Sequence, residues 1–261
     1  MHWKSEIEKT LSKFVSTPVI IDSFSHVGGG SINDTYKVNS NEGTFFVKKN
    51  SASLYPQMFE KEALGLKILN NAKTIELPEV IAYGESGNDS FLILKFINSR
   101  SKSDSFWDDF GRQLASLHKN SDKHFGLNHD NYIGSLHQSN NKHDKWSDFF
   151  REERLEKQVR LSRNNGAIDA GTVTAFDRFY ARLENIFPSE PPALLHGDLW
   201  GGNFMVSEKG NQVIIDPAVY YGHREMDLGM SKLFGGFDQQ FYNSYNTNYP
   251  LENGWKERLD Y

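Results

Sequence analysis

The sequence has no cysteine, no long apolar run and no excess of positive charge, and each absence excludes a class of function. Without cysteine there is no disulfide, no thiolate metal site and no thiol nucleophile. No apolar run approaches the roughly 20 residues that span a bilayer, and the charged start lacks the apolar core of a signal peptide. The 29 Lys+Arg and 34 Asp+Glu residues give a net charge of −5, which argues against a nucleic-acid partner. We therefore expect a cytoplasmic protein with no membrane span and no nucleic-acid partner.

The composition is that of a folded globular protein, and the patterns along the chain indicate an α+β fold. Of the 261 residues, 38% are hydrophobic and 13% aromatic, enough for a sizeable core in one large domain or two lobes. The first third combines short apolar runs, turn residues and a single helical pattern. We predict a small antiparallel sheet with one inserted helix, the strands lying within 19–24, 35–38, 44–48, 80–83 and 91–97 and the helix over 56–72.

The remainder of the chain is predicted to be a larger helical lobe. Apolar residues recur at helical spacing over 105–119, and 146–164 and 172–187 also have helical patterns. The polar stretch 137–145 is interpreted as a solvated connection rather than a metal site. We place the boundary between the lobes where the apolar pattern is interrupted, which gives an N-terminal lobe of residues 1–97 and a C-terminal lobe of residues 98–261.

Segment 194–230 carries the candidate chemistry. Phe204 to Val206 and Val213 to Ile215 predict a β-hairpin. Asn203 precedes its first strand and Asp216 follows its second, so antiparallel pairing would bring both to one end. Asp198 lies on the glycine-flanked loop that leads to that end. Three oxygen-bearing side chains should therefore converge.

Such a convergence suits phosphoryl transfer. One carboxylate orients and deprotonates the attacking hydroxyl, while an amide oxygen and a second carboxylate hold Mg²⁺ against the nucleotide phosphates. Asp198 or Asn203 alone would more often be a turn residue. The full pattern, H-x-D-x4-N followed by a strand and by an Asp thirteen residues after the Asn, is much more specific.

The N-terminal lobe offers groups that would bind a nucleotide. Three consecutive glycines, 28–30, lie between two predicted strands, where backbone N–H groups can approach phosphates. A lysine on the third strand would reach the phosphates, and spacing alone leaves both Lys48 and Lys49 open. Glu62 lies within an apolar stripe of its helix, so it needs a partner such as the strand lysine. The alternative is a Glu62 side chain that extends to solvent.

Several long motifs resemble the fructosamine kinase family, also called ketosamine 3-kinases. The most specific are HGDLWGGN (196–203) and DPAVYYGHREMDLGM (216–230). Further matches extend over nearly the whole chain: GGGSIN (28–33), FFVK (45–48), MFEKEALGL (58–66), FGLNHDNYIGSLHQSN (125–140), WSDFFREERL (146–155) and YPLENGW (249–255). The resemblance implies a bilobal protein-kinase-like fold, shared with aminoglycoside and choline kinases.

The resemblance also implies a role for each candidate residue. Asp198 would be the catalytic base, Asn203 and Asp216 the Mg²⁺ ligands, and Lys48, rather than Lys49, the lysine that contacts ATP phosphates and pairs with Glu62. Trp200 would form part of the sugar-binding wall, or alternatively pack against the helical lobe. The remaining groups implied to bind ATP are the glycine loop, Gly28, Gly29, Gly30 and Ser31, and the hinge beside adenine, Leu94, Lys95, Phe96 and Ile97. Four further residues are expected to brace the catalytic loop or cap the following helix rather than take part in the chemistry: His196, His223, Arg224 and Asp227.

The expected activity is ATP- and Mg²⁺-dependent phosphorylation of the sugar 3-hydroxyl of a ketosamine, either free or as a glycated lysine on a protein, which leads to deglycation. Asp227 follows Asp216 by only eleven positions, which leaves little room for the activation loop of a protein kinase. The alternatives are a kinase of this fold for choline, an aminoglycoside or a sugar, a nucleotide-binding pseudokinase and, less well supported, a two-carboxylate hydrolase. Family members usually continue past the equivalent of 257–261, so we expect a chain that stops early, by truncation or by nature.

Overall fold

A five-stranded antiparallel sheet forms the N-terminal part of the computed structural model, which describes residues 2–28 and 32–259. Its strand order is β1-β2-β3-β5-β4, with antiparallel pairing throughout. The predicted strands and the hairpin that closes the sheet are confirmed. The strands are β1 Ile21–His26, β2 Asp34–Ser40, β3 Gly43–Ser51, β4 Val80–Ser86 and β5 Asp89–Lys95.

Two helices cover the two faces of this sheet, so the prediction of a single helix was wrong. Helix α1 (His2–Val15) buries Trp3, Ile7 and Leu11 against one face, and α2 (Met58–Ala72) packs on the other. Side chains alternate between the faces along a strand. On β5, Phe91 and Ile93 accordingly pack with α1, and Leu92 and Leu94 with α2.

The same alternation on β3 decides where its two lysines lie. Phe45 and Val47 belong to the cluster under α1, while Phe46 packs with the cluster under α2. Lys48 therefore projects from the α2 face, and Lys49 from the α1 face, within 5.8 Å of the Trp3 ring. The structure thereby separates two residues that the spacing alone left equivalent.

Helices are the main regular structure of the chain after β5, as predicted. Helix α3 crosses α9 closely at Gly111, where a Cβ would lie 2.2 Å from the Phe241 carbonyl oxygen, so only glycine fits. Phe110 and Leu114 of α3 pack there with Tyr245. The helices are α3 Phe106–His118, α4 Trp146–Phe149, α5 Glu156–Asn164, α6 Ala170–Tyr180, α7 Leu183–Ile186, α8 Glu225–Leu233, α9 Gln239–Asn248 and α10 Trp255–Arg258, with a π-helical turn, Phe150–Leu155, between α4 and α5.

Two predicted helices and one predicted loop differ in detail. The helix predicted over 146–164 is continuous but contains the π-helical turn, and that predicted over 172–187 breaks between α6 and α7. The interpretation of 137–145 as solvated is wrong at its start, because Gln138, Ser139 and Asn140 are buried. Their side chains bond within the fold; Gln138, for example, donates to the Asn131 side chain at 2.8 Å. A short hairpin, β6 Asn131–Ile133 and β7 Leu136–Gln138, contains the first two residues of that stretch.

The predicted hairpin that follows Asn203 is confirmed as β9 Phe204–Val206 and β10 Gln212–Ile214. A second pair, β8 Ala193–Leu195 with β11 Tyr220–Gly222, holds the segments on either side of the hairpin together. The loop 196–203 and the segment 215–219 therefore emerge side by side. Across residues 2–28 and 32–259, no helix is both long and apolar enough to cross a bilayer. The lobe boundary at residues 97 and 98 stays a prediction.

Candidate active site

A cavity of about 590 Å³ is lined by residues of the sheet and of the helical part together. It gathers most of the residues that the sequence singled out. Gly29, Gly30 and Ser31 lie outside the described residues. The predicted residues that line the cavity are Gly28, Lys48, Glu62, Leu94, Lys95, Phe96, Ile97, Asp198, Trp200, Asn203 and Asp216.

The loop after β8 joins Asp198 directly to Asn203. The Asn203 amide Nδ2 donates to the Asp198 carboxylate at 2.8 Å and to the Asp198 carbonyl at 2.9 Å. The turn depends on Gly197, whose φ is +84° and where a Cβ would lie 2.1 Å from the Ala218 carbonyl oxygen. Burial raises the pKa of Asp198, although His196 and the bond from Asn203 oppose that shift. The loop therefore presents a carboxylate with increased basicity to the cavity.

Asp216 faces the same space from the segment after β10. Its backbone has a φ of +54°, an uncommon conformation for a residue other than glycine. The Ile215 N–H donates to the Asn203 carbonyl at 3.0 Å, which ties the two segments together. The Asp216 side chain is 46% exposed and accepts a bond from Lys48 Nζ at 3.1 Å.

Lys48 and Glu62 form a buried ion pair in the cavity wall. Lys48 Nζ lies 2.9 and 2.8 Å from the two Glu62 carboxylate oxygens, and the side chains are only 5% and 11% exposed. Burial would lower the pKa of Lys48, but the carboxylates of Asp216 and Glu62 outweigh it, so that the pKa lies above its ordinary value. Burial raises the pKa of Glu62 despite its cationic partner. Glu62 is thus paired and does not extend to solvent.

Lys49 has a different environment. Its ammonium lies 3.1 Å from Asp89 and 3.3 Å from Asp34, two carboxylates that are 39% and 56% exposed. Neither it nor these partners line the cavity. Of the two candidate lysines, only Lys48 lines the cavity.

Asp227 holds the catalytic loop from behind. Its carboxylate accepts the backbone N–H groups of His196 at 2.8 Å and of Gly197 at 2.9 Å. His118 Nε2 lies 3.2 Å from the same carboxylate, and His118 Nδ1 lies 2.8 Å from the Tyr245 hydroxyl. Burial would raise the pKa of Asp227, but His118, His196 and the Gly197 N–H together lower it. The expected bracing by Asp227 matches these contacts.

The other expected bracing residues also make internal contacts. His196 Nε2 lies 2.9 Å from the Ile215 carbonyl, which links the loop to the segment of Asp216. Arg224 forms two bonds to Glu190, at 2.6 and 2.7 Å. His223 is buried beside this pair, with Nε2 3.8 Å from Glu190, and burial lowers its pKa.

The backbone at the end of β5 is partly occupied by the sheet itself. The Lys95 N–H donates to the Glu79 carbonyl at 2.9 Å, and the Phe96 N–H to the Thr44 carbonyl at 3.3 Å. The Ile97 N–H has no hydrogen-bond partner among the described residues. Of these three amides, only that of Ile97 is thus available to a ligand.

The position of Trp200 allows either of the roles considered for it. It lines the cavity next to Asp198, yet its side chain is 39% exposed and packs edge-to-face on Phe234 at a ring distance of 5.8 Å. Sequence reasoning missed other groups of this site: Lys61, Asn131 and Tyr132 in the lining, and His118 and Tyr245 behind Asp227. His118 had a signal of its own, as a histidine on the apolar side of a predicted helix. Lys61, Asn131 and Tyr132 lie within the motifs 58–66 and 125–140, which carried the resemblance without singling these residues out.

Sequence and structure comparisons agree on the family. The model of the fructosamine kinase family matches residues 3–261. A protein of Synechocystis sp. named "Probable ketoamine kinase" is 37% identical over 257 residues, which cover 98% of this chain and 86% of that protein. The chloroplastic protein-ribulosamine 3-kinase of Arabidopsis thaliana is 38% identical over 251 residues, covering 92% of this chain and 74% of that protein.

Solved structures show the same relationship. The crystal structure of a Haemophilus somnus protein assigned as a fructosamine-3-kinase has a TM-score of 0.90 and 31% identity, covering 99% of this chain and 86% of that one. An aminoglycoside phosphotransferase has a TM-score of 0.64 at 12% identity, covering 98% and 88%, a likeness of fold alone. The expected protein-kinase-like α+β fold is confirmed, and the chain belongs to the fructosamine kinase family.

Proposed function

We propose that this protein transfers the γ-phosphoryl group of ATP to the sugar 3-hydroxyl of a ketosamine, a fructosamine or ribulosamine adduct of an amine or a lysine side chain. The observation that carries this proposal is the convergence of Asp198, Asn203 and Asp216 on the cavity that also contains the Lys48–Glu62 pair. The names of the relatives, ketoamine kinase and protein-ribulosamine 3-kinase, support the acceptor class.

Asp198 is the proposed catalytic base. The acceptor oxygen attacks the γ-phosphorus, the bond from that phosphorus to the β–γ bridging oxygen breaks, and ADP leaves. The proton of the acceptor hydroxyl passes to the Asp198 carboxylate, whose raised pKa makes it a better acceptor than an exposed aspartate. Asn203 holds the carboxylate in place through its bond at 2.8 Å.

The donor set beside Asp198 fits Mg²⁺. Because Asn203 Nδ2 is fixed by two bonds to Asp198, the amide oxygen is left for a cation, and Asp216 adds a partly exposed carboxylate. Both are hard oxygen donors of the kind that Mg²⁺ prefers. When bound, the ion neutralises the charge of the nucleotide phosphates.

ATP is proposed to lie between the two ends of the cavity. Adenine contacts the backbone at the end of β5, where the Ile97 N–H is free to donate. Lys48 contacts the phosphates, and its pair with Glu62 fixes its direction. The glycine loop, residues 28–31, is assigned to the same phosphates from the sequence alone, because Gly29, Gly30 and Ser31 lie outside the described residues. These assignments divide the chain into a nucleotide lobe of residues 1–97 and a catalytic and acceptor lobe of residues 98–261.

Trp200 is proposed to form one wall of the sugar site, since it lines the cavity beside the base. Apolar ring faces are suited to the C–H faces of sugars. A cytoplasmic location remains a prediction from the sequence.

The test is ADP release from Mg-ATP with fructosyl-lysine, ribulosyl-lysine, choline and kanamycin as acceptors, run beside Asp198→Asn. The proposal predicts turnover with a ketosamine alone and a kcat about 10²- to 10⁴-fold lower in the variant, with nucleotide binding kept. Turnover confined to choline or kanamycin would replace the acceptor class. Nucleotide binding without turnover of any acceptor would favour a pseudokinase, and undiminished turnover by Asp198→Asn would remove the base assignment.

A further inference from the structure

One cation in the cavity wall has no counter-ion among the residues that the structure describes. Three lysines line the cavity: Lys48, Lys61 and Lys95. Lys48 is paired with two carboxylates, and Lys95 lies 3.9 Å from Glu79. Within residues 2–28 and 32–259, Lys61 has no carboxylate within 4 Å and no side-chain hydrogen bond. It is partly buried, so part of its hydration is lost without a protein group to replace it.

Lys61 projects from α2 toward the hairpin of β6 and β7. It follows Met58, which also lines the cavity, by three positions, and precedes Glu62. The hairpin packs on the start of α2, where the Tyr132 hydroxyl donates to the Pro56 carbonyl at 3.1 Å. Burial is the main cause that lowers the pKa of His129, and the positive charge of Lys61 is the second. The Lys61 ammonium therefore lies near His129, which belongs to the segment that leads into β6.

The carboxylate on that segment is already engaged. Asp130 lies 3.3 Å from His137 Nε2 and accepts the Asn140 N–H at 2.9 Å. It is therefore held by its own hairpin and is not turned to Lys61. A half-buried ammonium that lines a binding cavity without a protein partner is arranged for an anion from outside the protein.

The position of Lys61 indicates which ligand would bring that anion. Under the proposed function, adenine lies at Leu94 to Ile97 and the phosphates lie at Lys48. The part of the cavity that remains for the acceptor is bordered by Asp198, Trp200 and Tyr132. Lys61 lines the same cavity, and its charge acts on His129, three residues before Tyr132.

We infer that Lys61 determines acceptor specificity by binding an anionic group on the ketosamine, which is either a phosphate on its sugar or a carboxylate on its amine portion. The inference rests on the proposed function. A charge-assisted bond between a partly buried ammonium and an anion should contribute about 10- to 100-fold in kcat/KM for an anionic acceptor over a neutral one.

The experiment compares three acceptors built on one carrier. Nα-acetyl-Nε-ribulosyl-lysine methylamide has no anion, its ribulosyl 5-phosphate carries one on the sugar, and the corresponding free acid carries one on the amine portion. Each is assayed by ADP release with the wild-type protein, Lys61→Met and Lys61→Arg. The matched control is Lys67→Met, a lysine that is exposed on the same helix.

The wild-type protein should favour one anionic acceptor over the neutral one, and Lys61→Met should abolish that preference while turnover of the neutral acceptor is kept. Lys61→Arg should restore most of it, and Lys67→Met should change nothing. If Lys61→Met loses only the preference for the 5-phosphate, the anion that Lys61 binds is a sugar phosphate. If it loses only the preference for the free acid, that anion is a carboxylate.

Three results would overturn the inference: no preference in the wild-type protein, an equal effect of Lys61→Met on neutral and anionic acceptors, or a change confined to the KM for ATP. The last would show that Lys61 contacts the nucleotide. If the wild-type protein turned over no ketosamine at all, the proposed function would fail first. Turnover without a charge preference would leave that function standing and remove only the role of Lys61.

Discussion

Removal of Lys48 should affect stability and catalysis in ways that can be separated. Lys48→Met leaves the Glu62 carboxyl, only 11% exposed, without its cation. Breaking a buried pair from one side typically costs about 3–5 kcal/mol in the free energy of unfolding. The lower end applies here, because the raised pKa of Glu62 eases its protonation and because Asp216 is half exposed. We expect a loss of about 3 kcal/mol, roughly 150-fold in the folding equilibrium.

The double variant Lys48→Met/Glu62→Leu removes the buried charge as well as its partner. Apolar replacement of both members of a buried pair is often close to neutral, so most of the lost stability should return, to within about 1.5 kcal/mol of the wild-type protein. Activity should not return, because the cation proposed to contact the phosphates is absent. Lys49→Met is the control: its carboxylate partners are exposed, so the change should cost under about 1 kcal/mol and leave activity intact.

The assays are urea unfolding at equilibrium and steady-state kinetics with varied Mg-ATP. The kcat/KM for Mg-ATP should fall about 10- to 100-fold in both variants that lack Lys48. If the double variant were as unstable as Lys48→Met, the loss would not come from the unpaired carboxylate. If Lys49→Met impaired ATP use and Lys48→Met did not, the assignment of the two lysines to the faces of the sheet would be wrong.

Three further predictions concern the support of the catalytic loop. Gly197→Ala places a Cβ 2.1 Å from the Ala218 carbonyl oxygen at a φ of +84°. It should lower the free energy of unfolding by about 2 kcal/mol or more, measured by thermal unfolding. An unchanged melting temperature would contradict the geometry. Asp227→Asn replaces the carboxylate that accepts two loop N–H groups. It should lower kcat about 10-fold and keep ATP binding, measured by titration calorimetry. Loss of ATP binding would show that the substitution disrupts more of the structure than this loop. Acidification should lower the melting temperature from about pH 6.5 downward, because burial lowers the pKa of His223 and the unfolded chain takes up the proton first; His223→Gln should flatten this profile, and an equally steep profile would exclude His223 as a source.

The sequence predicted the residues of the site better than their surroundings. The convergence of Asp198, Asn203 and Asp216 follows from one short hairpin, a local feature that apolar runs and a polar turn specify. The choice of Lys48 over Lys49 needed the resemblance or the structure. It depends on which face of β3 meets α2, and that contact joins residues distant in sequence.

Helix α1 could have been found from the pattern already used for the other helices. Trp3, Ile7 and Leu11 recur every four residues, as on any helix with one buried face. This apolar stripe is enough to predict α1 from the sequence.

Other features had no local signal. The hairpin of β6 and β7 lacks apolar alternation and is held by buried amides: Asn131 accepts from Gln138 and Asn140 and donates to the Val219 carbonyl. The Val219 carbonyl that Asn131 contacts lies 88 positions away in the sequence, so no local pattern predicts this hairpin. The π-helical turn in the long helix also had no local signal; at its start Trp146 and Phe150 stack at a ring distance of 5.1 Å.

The most direct test of the account is the position of the transferred phosphate. The product formed from ATP and a fructosyl-amine would be examined by NMR for coupling between ³¹P and the sugar protons, and then followed for release of the free amine. The account predicts coupling to the C3 proton and release of the amine, with neither product nor release in Asp198→Asn. Coupling to a proton on another carbon, with the amine still attached, would contradict it.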